Sequence, residues 1–213
     1  MGKEVFKLAH GIALTGSMGV GKSTLTECLG KRGWTVLQSD RLARELVQPG
    51  ETANREIRDA FGDEVFGPRD ELDRAKLSEI VFRNVAKRRR LEAILHPKIR
   101  ARWLDEAERA EQAGAWVAVD VPLLYEAGAD KHFHHVVVVA CSEKTQRVRL
   151  RERGWTAKQV ENRLKAQMPQ QEKIDRAGRM IWNEFSKENM EEQLQRVLDA
   201  LQEEQTYASQ KEK

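Results

Sequence analysis

Gly16-Ser17-Met18-Gly19-Val20-Gly21-Lys22-Ser23 is the stretch that decides the fold of this chain. It satisfies G-x-x-x-x-G-K-[ST], the phosphate-binding P-loop, in which glycines let the backbone curl until several N–H groups point at one anion. Such a loop works only between a strand and a helix. Ile12-Ala13-Leu14-Thr15 provides the apolar strand, and Thr24-Leu25-Thr26-Glu27-Cys28-Leu29 carries on with helical character. The helix N-terminus brings the positive end of its dipole to the same point. The amides from Gly19 through Thr24 are therefore expected to cradle phosphates, with Lys22 reaching the β- and γ-phosphates and the Ser23 hydroxyl ligating Mg²⁺. The competing reading, a glycine-rich turn with a solvated lysine, leaves the flanking strand and helix unexplained. The motif alone implies a nucleoside triphosphate and does not specify a reaction.

The chain has 213 residues, enough for one α/β domain with an insertion. Its composition, 33% charged and 6% aromatic, is that of a helix-rich soluble protein. No apolar run approaches the roughly 20 residues of a membrane span. The opening Met1-Gly2-Lys3-Glu4-Val5-Phe6-Lys7 lacks the apolar core of a signal peptide and the hydroxyl residue of a myristoylation signal. Cys28 and Cys141 fit no metal spacing and read as reduced thiols of a cytoplasmic protein. A net charge of +3 is too mild to imply nucleic acid. The basic cluster Lys87-Arg88-Arg89-Arg90 reads first as the solvated face of a helix, with contact to an anionic ligand as the alternative.

Working outward from the loop, β-branched runs alternate with helical periodicities. Strands are expected at Ile12–Thr15, Trp34–Leu37, Trp116–Val119, Val136–Ala140 and Arg179–Trp182. The unbroken run Val136–Ala140 suits a parallel strand covered on both faces. Helices are expected over Lys22–Arg32, closed by Gly33, and over Glu56–Phe61, closed by Gly62. Asp73 is a candidate cap for the next, and a long helical region from Asn84 to Gln112 should be interrupted near Pro97. Further helices should begin at Ser142 and at the capping box Thr156–Gln159, and the last should bury Met190, Leu194, Val197, Leu198 and Leu201. The polar tail from Gln202 to Lys213 is expected to fray. This alternation predicts a doubly wound α/β fold, five parallel strands wrapped by helices. The core would comprise residues 11–40, 114–142 and 178–204, with inserted helices over 41–112 and a lid over 143–170. Ligands of such folds bind at the carboxyl edge of the sheet.

Three groups at that edge narrow the chemistry. The second strand leads into Gln38-Ser39-Asp40, so Asp40 should lie on the γ-phosphate side, placed to accept the proton of an attacking hydroxyl. Its alternative role is to cap the helix that follows. Arg44, one turn on, would bind an anionic group of the acceptor. Asp120 ends the third strand in a Walker B-like arrangement and is a candidate Mg²⁺ ligand, or simply a turn-initiating residue before Pro122; Tyr125 and Glu126 would then lie beside the acceptor. Arg149 and Arg153 share one helical face, suited to a closing lid that stabilises transferring phosphoryl charge; the alternative is a surface helix paired with Glu152.

Together these motifs resemble the dephospho-CoA kinase family. The resemblance covers residues 11 to 183: the P-loop, then Asp40, Ala43 and Arg44, then Val47-Gln48-Pro49-Gly50, His96-Pro97-Lys98-Ile99, Asp120 to Glu126, Gln146, Arg149, Leu150 and Arg153, Gln167-Met168-Pro169, and Lys173. It implies a P-loop kinase fold in which ATP phosphorylates the ribose 3′-hydroxyl of dephospho-CoA, with Mg²⁺. Asp40 would be the base, and Lys22, Ser23 and the loop amides would hold ATP. Arg149 would act from the lid, and Arg44, His96, Leu123, Leu124, Tyr125 and Glu126 would seat dephospho-CoA in the inserted helices. His96 is not expected to be catalytic. Asn183 would flank the nucleotide. The family usually carries Asp-Ala-Asp where this chain has Gln38-Ser39-Asp40, so one carboxylate is lost. Both aspartates of the C-terminal family motif are also replaced around Ala177–Phe185, leaving Asn183. A monomer with a small-molecule substrate, no nucleic acid and no membrane is expected. The runner-up is another small-molecule P-loop kinase, such as a nucleoside monophosphate kinase. A regulatory GTPase would need an Asn-Lys-x-Asp motif that the chain lacks.

Overall fold

The computed structural model describes residues 7–211. Met1–Phe6, most of the segment read above for a leader or lipid anchor, and Glu212 and Lys213 of the tail lie outside the described residues. The chain divides into two compact units, one running to Val36 and resuming at Ala115, the other spanning Leu37–Gly114. It begins with β1 (Leu8–Thr15), α1 (Lys22–Lys31) and β2 (Thr35–Gln38). There follow α2 (Ser39–Glu45), α3 (Thr52–Phe61), α4 (Arg74–Arg83) and α5 (Val85–Gln112). The remainder is β3 (Val117–Asp120), β4 (Phe133–Ala140), α6 (Glu143–Glu152), α7 (Ala157–Lys165), α8 (Gln170–Arg176), β5 (Arg179–Trp182) and α9 (Lys187–Lys211).

The sheet has five strands in the order β2-β3-β1-β4-β5. β1 pairs in parallel with β3, placing Leu14 opposite Asp120, and with β4, placing Thr15 opposite Val138. β4 pairs in parallel with β5. The order reverses at β1, which sits between β3 and β4, and such a switch point is where doubly wound sheets open a crevice for ligands. The P-loop springs from that strand. On one face Ile12, Leu14, Ala118, Val137 and Val139 pack with Leu25 and Leu29 of α1 and with Met190, Leu194 and Leu201 of α9. The alternate residues Ala13, Val119, Val138 and Ala140 are fully buried as well. Both faces are covered, which is why β4 needs its continuous valine run.

In the second unit α2, α3 and α4 each pack on the long α5. Their core gathers Val47, Ala53, Ile57, Phe61, Val65, Phe66 and Leu77. Asp73 caps α4 by accepting from the Lys76 N–H, as expected, and Asn84 caps α5 by accepting from Lys87 N–H. Among its described residues strand pairing beyond β2 is confined to one antiparallel bridge, Phe66 with Leu72.

Two expectations are corrected. Pro97 does not interrupt the long helix; α5 is continuous from Val85 to Gln112 with Pro97 inside it. Proline forfeits its bond to the carbonyl four residues back and its ring crowds that carbonyl, but Pro97 and Ala93 are both on the exposed side, where water can serve the freed oxygen. Packing of Leu91, Ile94 and Leu95 before it and burial of Trp103 after it hold the helix in register. The tail does not fray at Gln202 either, since α9 runs on to Lys211. Gln205 donates to the Ala9 carbonyl, tying this polar end to β1.

Candidate active site

The P-loop joins β1 to α1. Gly21 has φ +95°, in the left-handed region, and a Cβ there would meet the Asn183 amide closer than 3.0 Å. At Gly19, φ +80°, a Cβ would lie 2.8 Å from Leu150 Cγ. The loop thus needs glycine both for its curl and because α6 and the residue after β5 press directly on it. Lys22 Nζ donates to Gly16 O at 2.7 Å and to Ser17 O at 3.4 Å, which folds the ammonium back over the loop. Ser23, the second residue of α1, is exposed. Thr24 N–H donates to Gly21 O and helps start the helix.

Three segments distant in sequence converge on this loop. Gln146 Nε2 donates to Met18 O at 2.7 Å, and Arg149 Nη1 to Val20 O at 3.4 Å. Asn183 Nδ2 donates to the same Val20 carbonyl at 2.8 Å. Gln167 Oε1 accepts from Met18 N–H at 3.3 Å. Arg149 and Asn183, singled out from separate motifs, therefore meet on one carbonyl. Arg153 is exposed, and the ion pair on α6 joins Arg147 to Glu143 in place of one to Glu152. Ser142 caps α6 through Thr145 N–H, and Thr156 and Gln159 form the expected capping box of α7.

Glu184 was not anticipated. Its carboxylate accepts from Thr145 Oγ1 at 2.5 Å and from Ser142 N–H and Oγ, both at 2.7 Å. These donors hold its pKa down at about 2, the Thr145 hydroxyl contributing most. Adjacent residues thus staple two parts of the site: Asn183 the loop, Glu184 the N-terminus of the helix that carries Arg149. A glutamate beside an asparagine after a strand has no sequence signature of this role.

Asp120 is half-buried at the carboxyl end of β3, beside Leu14, and Val121 N–H donates to Leu14 O at 2.8 Å. It lies on the sheet edge from which the loop departs. Ser23 and Asp120 are hard oxygen donors, the kind Mg²⁺ takes together with phosphate oxygens, so the residues present fit that ion. In the turn that follows, Leu123 is half-buried but Leu124 is fully buried, so Leu124 is a packing residue and not an open acceptor contact. Tyr125 is 7% exposed, with Arg176 stacked 4.2 Å from its ring centroid. Its buried hydroxyl has no hydrogen-bond partner, and burial raises its pKa. The Glu126 carboxylate accepts from Met168 N–H at 2.8 Å and pairs with Lys173 Nζ at 2.9 Å. Cys28 and Cys141 are buried and free, and burial raises both thiol pKa values.

In the second unit Asp40 and Arg44 are both exposed on α2. The capping alternative for Asp40 does not hold, because Gln38 occupies the cap and Asp40 is the second residue inside the helix. Arg74, next to α2's Arg44, has its pKa lowered by burial and then by that neighbouring cation. The two cations add positive potential to the same part of the second unit. His96 is half-buried on α5. Lys87, Arg89 and Arg90 are exposed, while Arg88 pairs with Glu92 at 3.7 Å, so the basic cluster is largely a solvated helix face. Among the described residues no helix is long and apolar enough to cross a membrane.

Comparison with known proteins bears on this geometry. A family model described as dephospho-CoA kinase matches residues 10–189. The chain is 40% identical over 196 residues to a dephospho-CoA kinase of Geobacillus kaustophilus, covering 90% of this chain and 98% of that one. Among solved structures, TT1252 from Thermus thermophilus superposes with a TM-score of 0.77 at 33% identity, covering 92% of this chain and 98% of the other. A dephospho-CoA kinase from Campylobacter jejuni superposes with a TM-score of 0.67 at 25% identity, covering 89% and 96%.

Proposed function

The chain belongs to the dephospho-CoA kinase family, and from that premise we propose that it transfers the γ-phosphoryl group of ATP to the ribose 3′-hydroxyl of dephospho-CoA, the closing step of coenzyme A synthesis. The observation that carries the proposal is the convergence of Gln146, Arg149 and Asn183 on the carbonyls of Met18 and Val20, which sets an arginine-bearing helix against a P-loop. Phosphoryl transfer needs little covalent help from protein groups; positioning and charge stabilisation do most of the work. The amides of Gly19 through Thr24 bind the phosphates, and Lys22, held over the loop by Gly16 O, adds a point charge. Arg149 leaves Val20 O to meet the charge that grows on the equatorial oxygens. Ser23 and Asp120 would hold Mg²⁺, which would supply further neutralisation when bound.

Asp40 takes the proton of the attacking hydroxyl. Its exposure on α2 and the absence of a competing capping bond support that role. Arg44, its neighbour Arg74 and the region of His96 bind the anionic acceptor, and Leu123 and Tyr125 border it. Asn183 keeps the loop in shape beneath the nucleotide. The helices of Leu37–Gly114 serve as the acceptor-binding insertion and residues 143–170 as the lid. The reaction needs neither nucleic acid nor membrane, and a monomer in the cytoplasm suffices for it.

The test incubates purified protein with ATP, Mg²⁺ and either dephospho-CoA or a panel of nucleoside monophosphates, and identifies the product by mass spectrometry and phosphorus NMR. Coenzyme A from dephospho-CoA alone is expected. Turnover of a monophosphate without coenzyme A would transfer the assignment to the runner-up kinase. Asp40→Asn should lower kcat by about 100-fold or more with the fold intact, and normal turnover would remove Asp40 as base.

A further inference from the structure

Lys173 of α8 is fully buried, and among the described residues it is the one lysine, arginine, aspartate or glutamate in the buried class. Burying an ammonium is costly unless it is paired and hydrogen-bonded, and a well-packed apolar residue of similar volume is usually as stabilising or more so. Stability is therefore a weak reason for a lysine here. Its bonds point to another one. Lys173 Nζ donates to Pro122 O at 2.7 Å and contacts Glu126 Oε1 at 2.9 Å and Oε2 at 3.3 Å. The Pro122 carbonyl also accepts from Thr15 Oγ1 at 3.4 Å, and Thr15 is the last residue before Gly16 of the P-loop. The Glu126 carboxylate in turn accepts from Met168 N–H, at the end of the lid segment.

One buried cation thus gathers three threads: the turn that leaves Asp120, the strand that feeds the loop, and the chain returning from the lid. We propose that Lys173 and Glu126 are positioning residues for the transfer. They hold the Asp120–Tyr125 turn against the root of the P-loop and couple it to the lid through Met168. Glu126 is then a strut between protein segments, not a group that touches the acceptor. Apolar packing would fill the same volume but could not bind a carbonyl and a carboxylate together, so only the cation sets the turn's register. This inference rests on the kinase reading above.

The experiment compares Lys173→Met, Glu126→Gln and the double variant with the parent enzyme for kcat, both KM values and thermal unfolding. Each single variant should lose about tenfold or more in kcat/KM for dephospho-CoA, with the ATP KM changed less than about twofold. The double variant should be no worse than the poorer single, because the two side chains act as one unit. Unchanged kinetics in Lys173→Met, or losses that multiply in the double variant, would overturn the proposal. A defect in Glu126→Gln alone would also overturn it and make Glu126 a direct acceptor ligand. Should Lys173→Met fail to fold, Lys173→Gln takes its place, a shorter neutral side chain that keeps a donor but loses the cation shared by Pro122 O and the Glu126 carboxylate. It must then lose turnover while keeping its ATP KM, and parent-like kinetics would refute the idea. A parent enzyme inactive on dephospho-CoA would count against the function, whereas an active parent with normal variants counts against this inference alone.

Discussion

Gly21→Ala tests whether the loop and the segments around it form one fitted unit. Gly21 caps α1 with φ +95° and ψ 25°. Placing alanine there costs about 1–2 kcal/mol in backbone strain. The new Cβ would also stand closer than 3.0 Å to the Asn183 amide and 3.7 Å from Arg149 Nη1. Asn183 must then give up its 2.8 Å bond to Val20 O, a loss of about 1–2 kcal/mol at a site where Arg149 still offers that carbonyl a donor. The sum, about 2–4 kcal/mol, corresponds to a fall in Tm of about 4–16 °C for a chain of this size. Thermal unfolding followed by circular dichroism reads the first effect, and the ATP KM, which should rise, reads the second. Asn183→Ala separates strain from collision. With the amide gone, the collision is removed and the ordinary 3.7 Å contact with Arg149 Nη1 is left, so the double variant should be more stable than the two single losses predict by about 1 kcal/mol or more. An additive double variant, or an alanine at 21 that leaves both Tm and KM unchanged, would refute the reasoning.

Two further outcomes follow from burial and charge. The Glu184 carboxylate has a folded pKa near 2 against an ordinary 4.5, so its contribution to stability is complete above the ordinary value and is lost as pH falls toward 2. Glu184→Gln should therefore be less stable than the parent at about pH 6, with the gap in denaturant midpoint narrowing below about pH 4.5 and closing only near pH 2; a gap independent of pH would show that the carboxylate's charge is irrelevant. Trp103, 1% exposed on α5, should cost about 3–5 kcal/mol when replaced by alanine, measured by urea unfolding, and a loss below about 1 kcal/mol would mean that the second unit collapses around the vacancy.

Local signals were legible wherever chemistry and geometry are set by neighbours along the chain. Glycines at fixed spacing, a strand before and a helix after implied the loop, and β1, α1 and the glycine curl follow from them. Caps that bond three residues ahead were equally readable at Asp73, Ser142 and Thr156. Pro97 misled because a local rule about proline was overridden by side chains packed on both sides of it.

What the sequence alone determined was the class of fold, the glycine-curled loop between β1 and α1 and the family, since these rest on periodicity and on short motifs in a fixed order along the chain. What only the tertiary structure decided was which distant groups share an atom. Arg149 and Asn183 meet on the Val20 carbonyl, Glu184 anchors a helix that begins 41 residues before it, and Lys173 is buried beneath the turn after Asp120. The physical reason is that a hydrogen bond or a buried charge depends on distance in space and on the exclusion of water. Neither is encoded by spacing along the chain until the sheet has brought the ends of β1, β3, β4 and β5 to one edge.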